Sequence, residues 1–247
     1  MSRVLIGRNL PESVVETARA HFDVSYRDSP HPLSRDEMVS ALQDYDGVLM
    51  TLGDRYDAGV FEAAGTPRAK ILANFGVGFN HIDVAAAEAA GLVVTNTPGA
   101  VTDATADVAM TLLLMTCRRA GEGERLVRSG AWEGWHPVQM LGLHVTGKRV
   151  GILGMGRIGQ AIARRCHFGF GMSVAYASRS EKELDFPATR YTTAEALAAE
   201  VDILVVALPA SPATHHMVNA GVLAAKARKT RKTGSAAENA AVHRCWG

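Results

Sequence analysis

Cysteine is scarce in this chain: three in 247 residues, at Cys117, Cys166 and Cys245, with no C-x-x-C pair. So few thiols, so far apart, exclude a disulfide scaffold and a cysteine-built zinc site, and they fit a reducing compartment. Charge of one sign is scarce as well. The 26 Lys and Arg nearly cancel the 25 Asp and Glu, leaving +1. That balance argues against a protein built mainly to hold nucleic acid or an anionic membrane. Long apolar runs are missing: the longest, about 108–117, is far short of the ~20 residues that span a bilayer. The opening residues Met1-Ser2-Arg3-Val4-Leu5-Ile6-Gly7 lack the apolar core, roughly 7–15 residues long, of a secretory signal. The expectation is a soluble cytoplasmic protein.

What is present is a globular composition. Hydrophobic residues make up 47%, inside the usual range of roughly 45–50%. At about 150 residues per domain, the length allows one large domain or two small ones. Along the first hundred residues, short apolar runs alternate with helical segments. Val4-Leu5-Ile6, Asp23-Val24-Ser25-Tyr26, Gly47-Val48-Leu49-Met50, Lys70-Ile71-Leu72-Ala73 and Leu92-Val93-Val94-Thr95 read as strands. Helices are expected from Pro11 to about Phe22, after the Ser34-Arg35-Asp36-Glu37 capping box, over 58–64, and from Asp83 to Ala90. Such alternation predicts βαβ units around a parallel sheet. A long helix, 103–119, follows. Beyond the Trp132-Glu133-Gly134-Trp135 loop a second series begins: strand 148–153, helix 159–168, strand 172–176, helix 193–199, and an apolar strand 201–208.

The segment Val150-Gly151-Ile152-Leu153-Gly154-Met155-Gly156-Arg157-Ile158-Gly159 carries a G-x-G-x-x-G between a strand and a helix. In that setting the first glycine makes the tight turn, the second lets backbone approach a pyrophosphate, and the third lets helix pack on strand. The helix N-terminus offers free N–H groups and a positive dipole end. Gly154, Met155, Gly156, Arg157, Ile158 and Gly159 are therefore candidate cofactor-binding residues for a dinucleotide. Nineteen positions past Gly159 stand Ser178, Arg179 and Ser180. An NAD site keeps Asp or Glu about there for the ribose 2′-hydroxyl. An acid repels a 2′-phosphate, whereas Arg offers it a planar fork of donors. The expected cofactor is NADPH rather than NADH. Glu181 is the alternative ribose partner, and Arg179 as a plain solvated cation is the alternative to any nucleotide role.

At this point the sequence resembles the D-isomer-specific 2-hydroxyacid dehydrogenases, most closely the glyoxylate/hydroxypyruvate reductase branch. The match is carried by Leu72 through Asp83, which includes Asn74-Phe75-Gly76-Val77-Gly78-Phe79-Asn80-His81; by Val94-Thr95-Asn96-Thr97-Pro98; by Thr102 through Asp107; by the glycine loop; and by Leu208-Pro209-Ala210-Ser211-Pro212-Ala213-Thr214. It covers about residues 1–223. The resemblance implies an α/β fold of two Rossmann-like, doubly wound parallel-sheet domains with a cleft between them, the second one truncated. The expected division is 1–98 as a flavodoxin-like substrate domain, 99–220 as an incomplete NAD(P)-binding domain, and 221–247 as a basic, disordered tail. The implied reaction is NAD(P)H-dependent reduction of a small 2-oxoacid, glyoxylate or hydroxypyruvate, to the D-2-hydroxyacid. The resemblance places the substrate carboxylate on the backbone at Val77 and Gly78, with Asn80, Asn74 and Phe79 shaping the loop. Read from residues alone, that segment is a strand–helix turn capped by Asp83. Thr105, Leu208, Pro209 and Thr214 match positions that contact the cofactor in the family. A homodimer is the family's usual assembly.

No catalytic side chain and no metal ligand is assigned. The family's carboxylate-clamping Arg, its proton-donating His and the Glu that orients it follow the segment where this sequence stops matching. His81, His215 and His216 match none of them, and Met155, Met172 and Met217 read as packing side chains. After Leu223 the chain has no apolar strand and no Asn-Thr-x-Arg-Gly-like turn. Instead residues 221–247 carry Lys226, Arg228, Lys229, Arg231, Lys232 and Arg244 against Glu238, a net +5, leaving −4 for the rest. The expectation is a frameshift or equivalent lesion near 223–226, the alternative a natural basic tail, and impaired activity in either case. With Trp246 its one aromatic, the tail gives no support for nucleic-acid binding. A second reading of the whole is a non-catalytic NADP-binding or partner-binding relative.

Overall fold

The computed structural model describes residues 1–233 and 241–242. The first compact unit is Met1–Ala100, and the second begins at Val101. The boundary falls two residues past the expected one.

The first unit alternates strand and helix: β1 (Arg3–Ile6), α1 (Glu12–Arg19), β2 (Asp23–Tyr26), α2 (Arg35–Asp44), β3 (Gly47–Thr51), α3 (Ala58–Ala64), β4 (Ile71–Phe75), α4 (Val84–Ala89) and β5 (Val93–Thr95). Its sheet runs β2-β1-β3-β4-β5 and is parallel throughout, the flavodoxin-like order. Three helices start where a side chain satisfies an orphan N–H. Ser34 accepts from the Glu37 amide at 3.3 Å while Glu37 accepts from the Ser34 amide at 2.7 Å, the reciprocal box read from sequence. Asp57 accepts from Val60 at 3.2 Å, and Asp83 from Ala86 at 3.0 Å. One charge is wholly inside. Asp54 accepts from the amides of Leu33 (2.9 Å) and Thr51 (3.0 Å) and from Arg8 Nη2 (2.8 Å). Those three bonds compensate its desolvation and tie the exit of β1, the approach to α2 and the end of β3.

The second unit contains α5 (Thr102–Cys117), α6 (Ala120–Arg128), β6 (Arg149–Leu153), α7 (Arg157–Phe170), β7 (Ser173–Ala177), β8 (Ala188–Tyr191), α8 (Ala194–Glu200), β9 (Ile203–Val206), a 3₁₀ turn at Pro212–Thr214, α9 (Ala220–Thr233) and β10 (Ala241–Val242). Its parallel sheet runs β10-β9-β6-β7-β8. Apolar residues fill both faces, as a sheet covered on both sides requires. Val150, Ile152, Val174, Tyr176, Ile203 and Val205 face one core, with Ala109, Leu113, Ile162 and Cys166 of α5 and α7. Leu153, Ala175, Ala177, Leu204 and Val206 face the other, with Leu197 and Ala198 of α8. The switch of face at every residue is the period of a strand.

Three features depart from expectation. Neither α6 nor β8 was anticipated: α6 holds Gly121 and Gly123, poor helix formers, and β8 is a four-residue edge strand. The expected disordered tail, 221–247, is corrected over its first part, because 220–233 is helix α9. Asn219 Oδ1 accepts from the amides of Gly221 (2.8 Å) and Val222 (3.1 Å), starting the helix. Val222 and Ala225, three apart, are buried in the α8 core. The Ala/Lys/Arg composition that reads as a charged tail is also good helix composition, and burial of one stripe decides between them. The chain returns as β10, pairing Ala241 with Leu204 and Val242 with Val205. Glu238, His243, Arg244, Cys245 and Trp246 lie outside the described residues. No helix among the described residues is long and apolar enough to cross a membrane.

If α9 is part of the core, Val222→Asp lowers stability by about 3 kcal/mol or more, since it buries an unpaired charge. Leu223→Asp, at a half-exposed neighbour, stays within about 0.5 kcal/mol. Urea midpoints of the two variants check this, and two silent substitutions would detach α9 from the fold.

Candidate functional site

Two loops carry the candidate residues, one in each unit, each at the C-terminal edge of its sheet.

In the second unit the loop grows from β6, the strand between β7 and β9. The chain order moves outward from β6 to one side and then returns to the other, so β6 and β9 flank the switch point where doubly wound sheets bind ligands. Gly154 turns the chain with φ +101° and donates its N–H to Ala177 O at 2.9 Å. A Cβ there would run into the Ala207 carbonyl. Met155 buries its side chain in the core, as expected of a packing residue, and leaves its backbone in the loop. Gly156 is the N-cap of α7, and a Cβ built on it meets nothing within 4 Å. Gly159 is the reverse: its Cβ would strike the Gly154 carbonyl oxygen. The three glycines thus divide into two that permit internal contact and one that leaves open space above the loop, as a pyrophosphate requires. Arg157 and Ile158 form the first turn of α7, which holds no acidic side chain. The orphan N–H groups and the dipole end, equivalent to roughly half a positive charge, are left for an outside anion.

The neighbouring strand ends complete the edge. Beyond β7 come Ser178, Arg179 and Ser180. Lys182 Nζ reaches Ser180 Oγ at 2.8 Å, and the Lys182 amide donates to the Tyr176 hydroxyl at 3.2 Å. Beyond β9 come Leu208 and Pro209. Thr214 Oγ1 donates to Pro209 O at 2.6 Å and receives the Ser211 amide at 3.0 Å, folding 209–214 into a closed loop. The structure therefore gathers the glycine loop, Ser178–Ser180, Leu208, Pro209 and Thr214 along one sheet edge. Thr105 stands half-buried in the first turn of α5, the helix packed across α7.

In the first unit the loop follows β4. Asn74, 2% exposed, donates Nδ2 to the carbonyls of Gly76 (3.2 Å) and Gly78 (2.8 Å). Asn96 Nδ2 donates to Val77 O at 2.9 Å, and the Thr97 amide to Gly76 O at 3.1 Å. Three successive carbonyls are held by the unit itself. No described peptide bond is cis, and in a trans peptide the N–H points opposite the preceding C=O. The amides of Val77, Gly78 and Phe79 are therefore turned away from those anchors, an arrangement suited to an anion. Asn80 is exposed beside them. The sequence reading gave Asn74 only a shaping role by resemblance and no role to Asn96. Their common signal, an Asn at a strand end before a glycine-rich or proline turn, was legible but nonspecific.

His81 directly follows Asn80 in the first unit's loop, and His215 and His216 directly follow Thr214 in the second unit. His81 Nε2 is buried without a partner, and burial pulls the ring's pKa down against the pull of Asp54. His215 and His216 stack edge to face, 3.8 Å between centroids. No described cluster of three His, Cys, Asp or Glu side chains is placed to hold a metal. Cys117 and Cys166 are buried free thiols, raised by desolvation to about 11 and about 12, and hence poor nucleophiles.

Residues 110–231 match the family model for the NAD binding domain of D-isomer specific 2-hydroxyacid dehydrogenases. The chain is 43% identical over 226 residues to a glyoxylate reductase of Thermococcus onnurineus, covering 88% of this chain and 66% of that protein. Among solved structures it resembles the NADPH-dependent glyoxylate/hydroxypyruvate reductase of Sinorhizobium meliloti in complex with NADP and malonate. There the TM-score is 0.76 and the identity 35%, over 91% of this chain and 67% of that one. A 2-hydroxyacid dehydrogenase from Ketogulonicigenium vulgare gives TM-score 0.73 and 32% identity, over 91% and 69%. The chain thus spans just under two thirds of the length of curated relatives such as the Thermococcus onnurineus protein.

The contrast between the glycines is testable without any ligand. Gly159→Ala is expected to lose about 1–3 kcal/mol from overpacking, whereas Gly156→Ala melts like the parent. Paired thermal melts check this, and equal losses at both positions would reject the geometry.

Proposed function

This chain belongs to the D-isomer specific 2-hydroxyacid dehydrogenase family, and we propose that its reaction is the NADPH-dependent reduction of a small 2-oxoacid, glyoxylate or hydroxypyruvate, to the D-2-hydroxyacid. The observation that carries the reading is the pair of preformed anion-facing loops, one fitted to a pyrophosphate and one to a carboxylate. When bound, the dinucleotide supplies the hydride. The residues of this chain bind and orient. Gly154–Gly159 with the α7 N-terminus hold the pyrophosphate, and Thr105, Leu208, Pro209 and Thr214 border the nucleotide. The Val77, Gly78 and Phe79 amides take the substrate carboxylate, with Asn80 beside them. At the end of β7, where an NAD site keeps an acid, stand Ser178, Arg179 and Ser180, and the Arg179 guanidinium suits a 2′-phosphate. That supports NADPH over NADH. The reaction is placed in the cytoplasm, in keeping with thiols that stay free.

No described side chain is assigned as proton donor or as carboxylate-clamping Arg. A homodimer is the proposed assembly. Val108, Leu112 and Met115 form an exposed apolar stripe at helical spacing on α5, the kind of face a second copy covers.

Nicotinamide fluorescence with the full chain, followed by loss of nicotinamide absorbance in the presence of glyoxylate or hydroxypyruvate, tests both parts. Tight NADPH binding and loss of absorbance that depends on the 2-oxoacid are the expected results, and no binding of either nucleotide would reject the reading. Light scattering after gel filtration is expected to give twice the chain mass, and Leu112→Asp to give the monomer.

A further inference from the structure

Arg190 lies outside every motif discussed so far. It sits on the edge strand β8, paired in register with Tyr176 of β7, and its side chain reaches along the sheet to the turn after β7. There one nitrogen, Nη2, donates to two successive carbonyls, Ser178 O and Arg179 O, each at 3.2 Å. A third is engaged as well, since Ser178 Oγ donates to Ser180 O at 2.5 Å. The carbonyls of the turn are thus held by the unit's own donors. By the same trans-peptide geometry, the amides that follow, on Arg179 and Ser180, are turned away from Arg190. Successive N–H groups held to one side form a small anion-binding concavity. Arg179, Lys182 and Arg190 add three cationic side chains around this one turn.

Resting on the NADPH reading above, we propose that Arg190 is a positioning residue for nucleotide selectivity. It clamps the two peptide planes of the Ser178–Ser180 turn so that the Arg179 side chain and the Arg179 and Ser180 amides face a 2′-phosphate. It touches the turn and not the ligand. Its guanidinium also raises the positive potential where the phosphate dianion sits, while a 2′-hydroxyl gains little from either effect. A purely structural role would weaken both nucleotides alike, whereas this role weakens NADPH selectively.

The test is the dissociation constant of NADPH and of NADH, by nicotinamide fluorescence on the full chain, for the parent, Arg190→Met, Arg190→Lys and Arg179→Met. Arg190→Met is expected to cut the NADPH:NADH preference about tenfold, a size typical of one charge-assisted contact, with NADH affinity within about twofold. Arg190→Lys keeps the charge without the planar fork and recovers part of the preference. The unliganded melting temperature is expected to stay put, because Arg190 is exposed on an edge strand. If Arg190→Met unfolds, Arg190→Lys carries the comparison. A preference unchanged in Arg190→Met but lost in Arg179→Met overturns the inference and leaves the NADPH reading standing. Equal loss for both nucleotides also overturns it. A parent chain with no preference for NADPH removes that reading and the inference together.

Discussion

Backbone meets backbone at the start of α7, and the second unit is organised around that contact. Gly159 lies so close to the Gly154 carbonyl that a single carbon between them would force the helix off the strand. The closeness has two effects. It lets α7 lay Ile162, Ala163 and Cys166 onto the face of β6 and β7. It also brings the α7 N-terminus directly over the end of β6, where its free N–H groups face open space above Gly156. Packing and ligand geometry therefore come from the same two glycines. Relaxing the contact would loosen both together.

The first unit solves a related problem by different means. Its loop after β4 leads into α4, whose first turn is already capped by Asp83, and the amides of the loop are aimed by holding their carbonyls. Asn74 and Asn96 act as clamps on those carbonyls, and the Thr97 amide adds a further tie. The turn after β7 repeats the device with an arginine in place of the asparagines. In each case carbonyls that a folded chain must satisfy anyway are satisfied within the unit, and the N–H of each such peptide is turned away from the donor that holds it. A site of this kind is stiff before any anion arrives, and little ordering is needed on binding.

Much of this was legible in the sequence, and what was missed has a common cause. The alternation of short apolar runs with helices predicted both parallel sheets, because period and burial are written residue by residue. The Ser34–Glu37 box and the strand–glycine loop–helix junction were also local patterns. Arg190 was not readable, and Asn96 carried only a nonspecific signal, because their meaning depends on which strand ends the sheet sets side by side. Position 190 is twelve residues from Ser178 in sequence, yet it pairs with Tyr176, only two residues short of it on the neighbouring strand. α9 follows the same rule: its charge count is local, but the burial of Val222 and Ala225 against α8 is tertiary, and tertiary burial won. Asp54 belongs to the same class, a lone acid in sequence and a three-way tie in the fold.

The order of strands along the chain bears on synthesis. The first sheet is built entirely from residues before Ala100, so a ribosome delivers every partner it needs before the second unit begins. The second sheet is delivered differently. Its innermost strand, β6, emerges first and acquires β7 within some twenty residues, but its other neighbour, β9, follows only after roughly thirty more. During that interval the edge of β6 that later pairs with β9 is an open ladder, the kind of edge that invites pairing with a foreign chain. The nascent second unit is therefore most vulnerable to aggregation after its glycine loop has been made and before residues 203–206 arrive to close it.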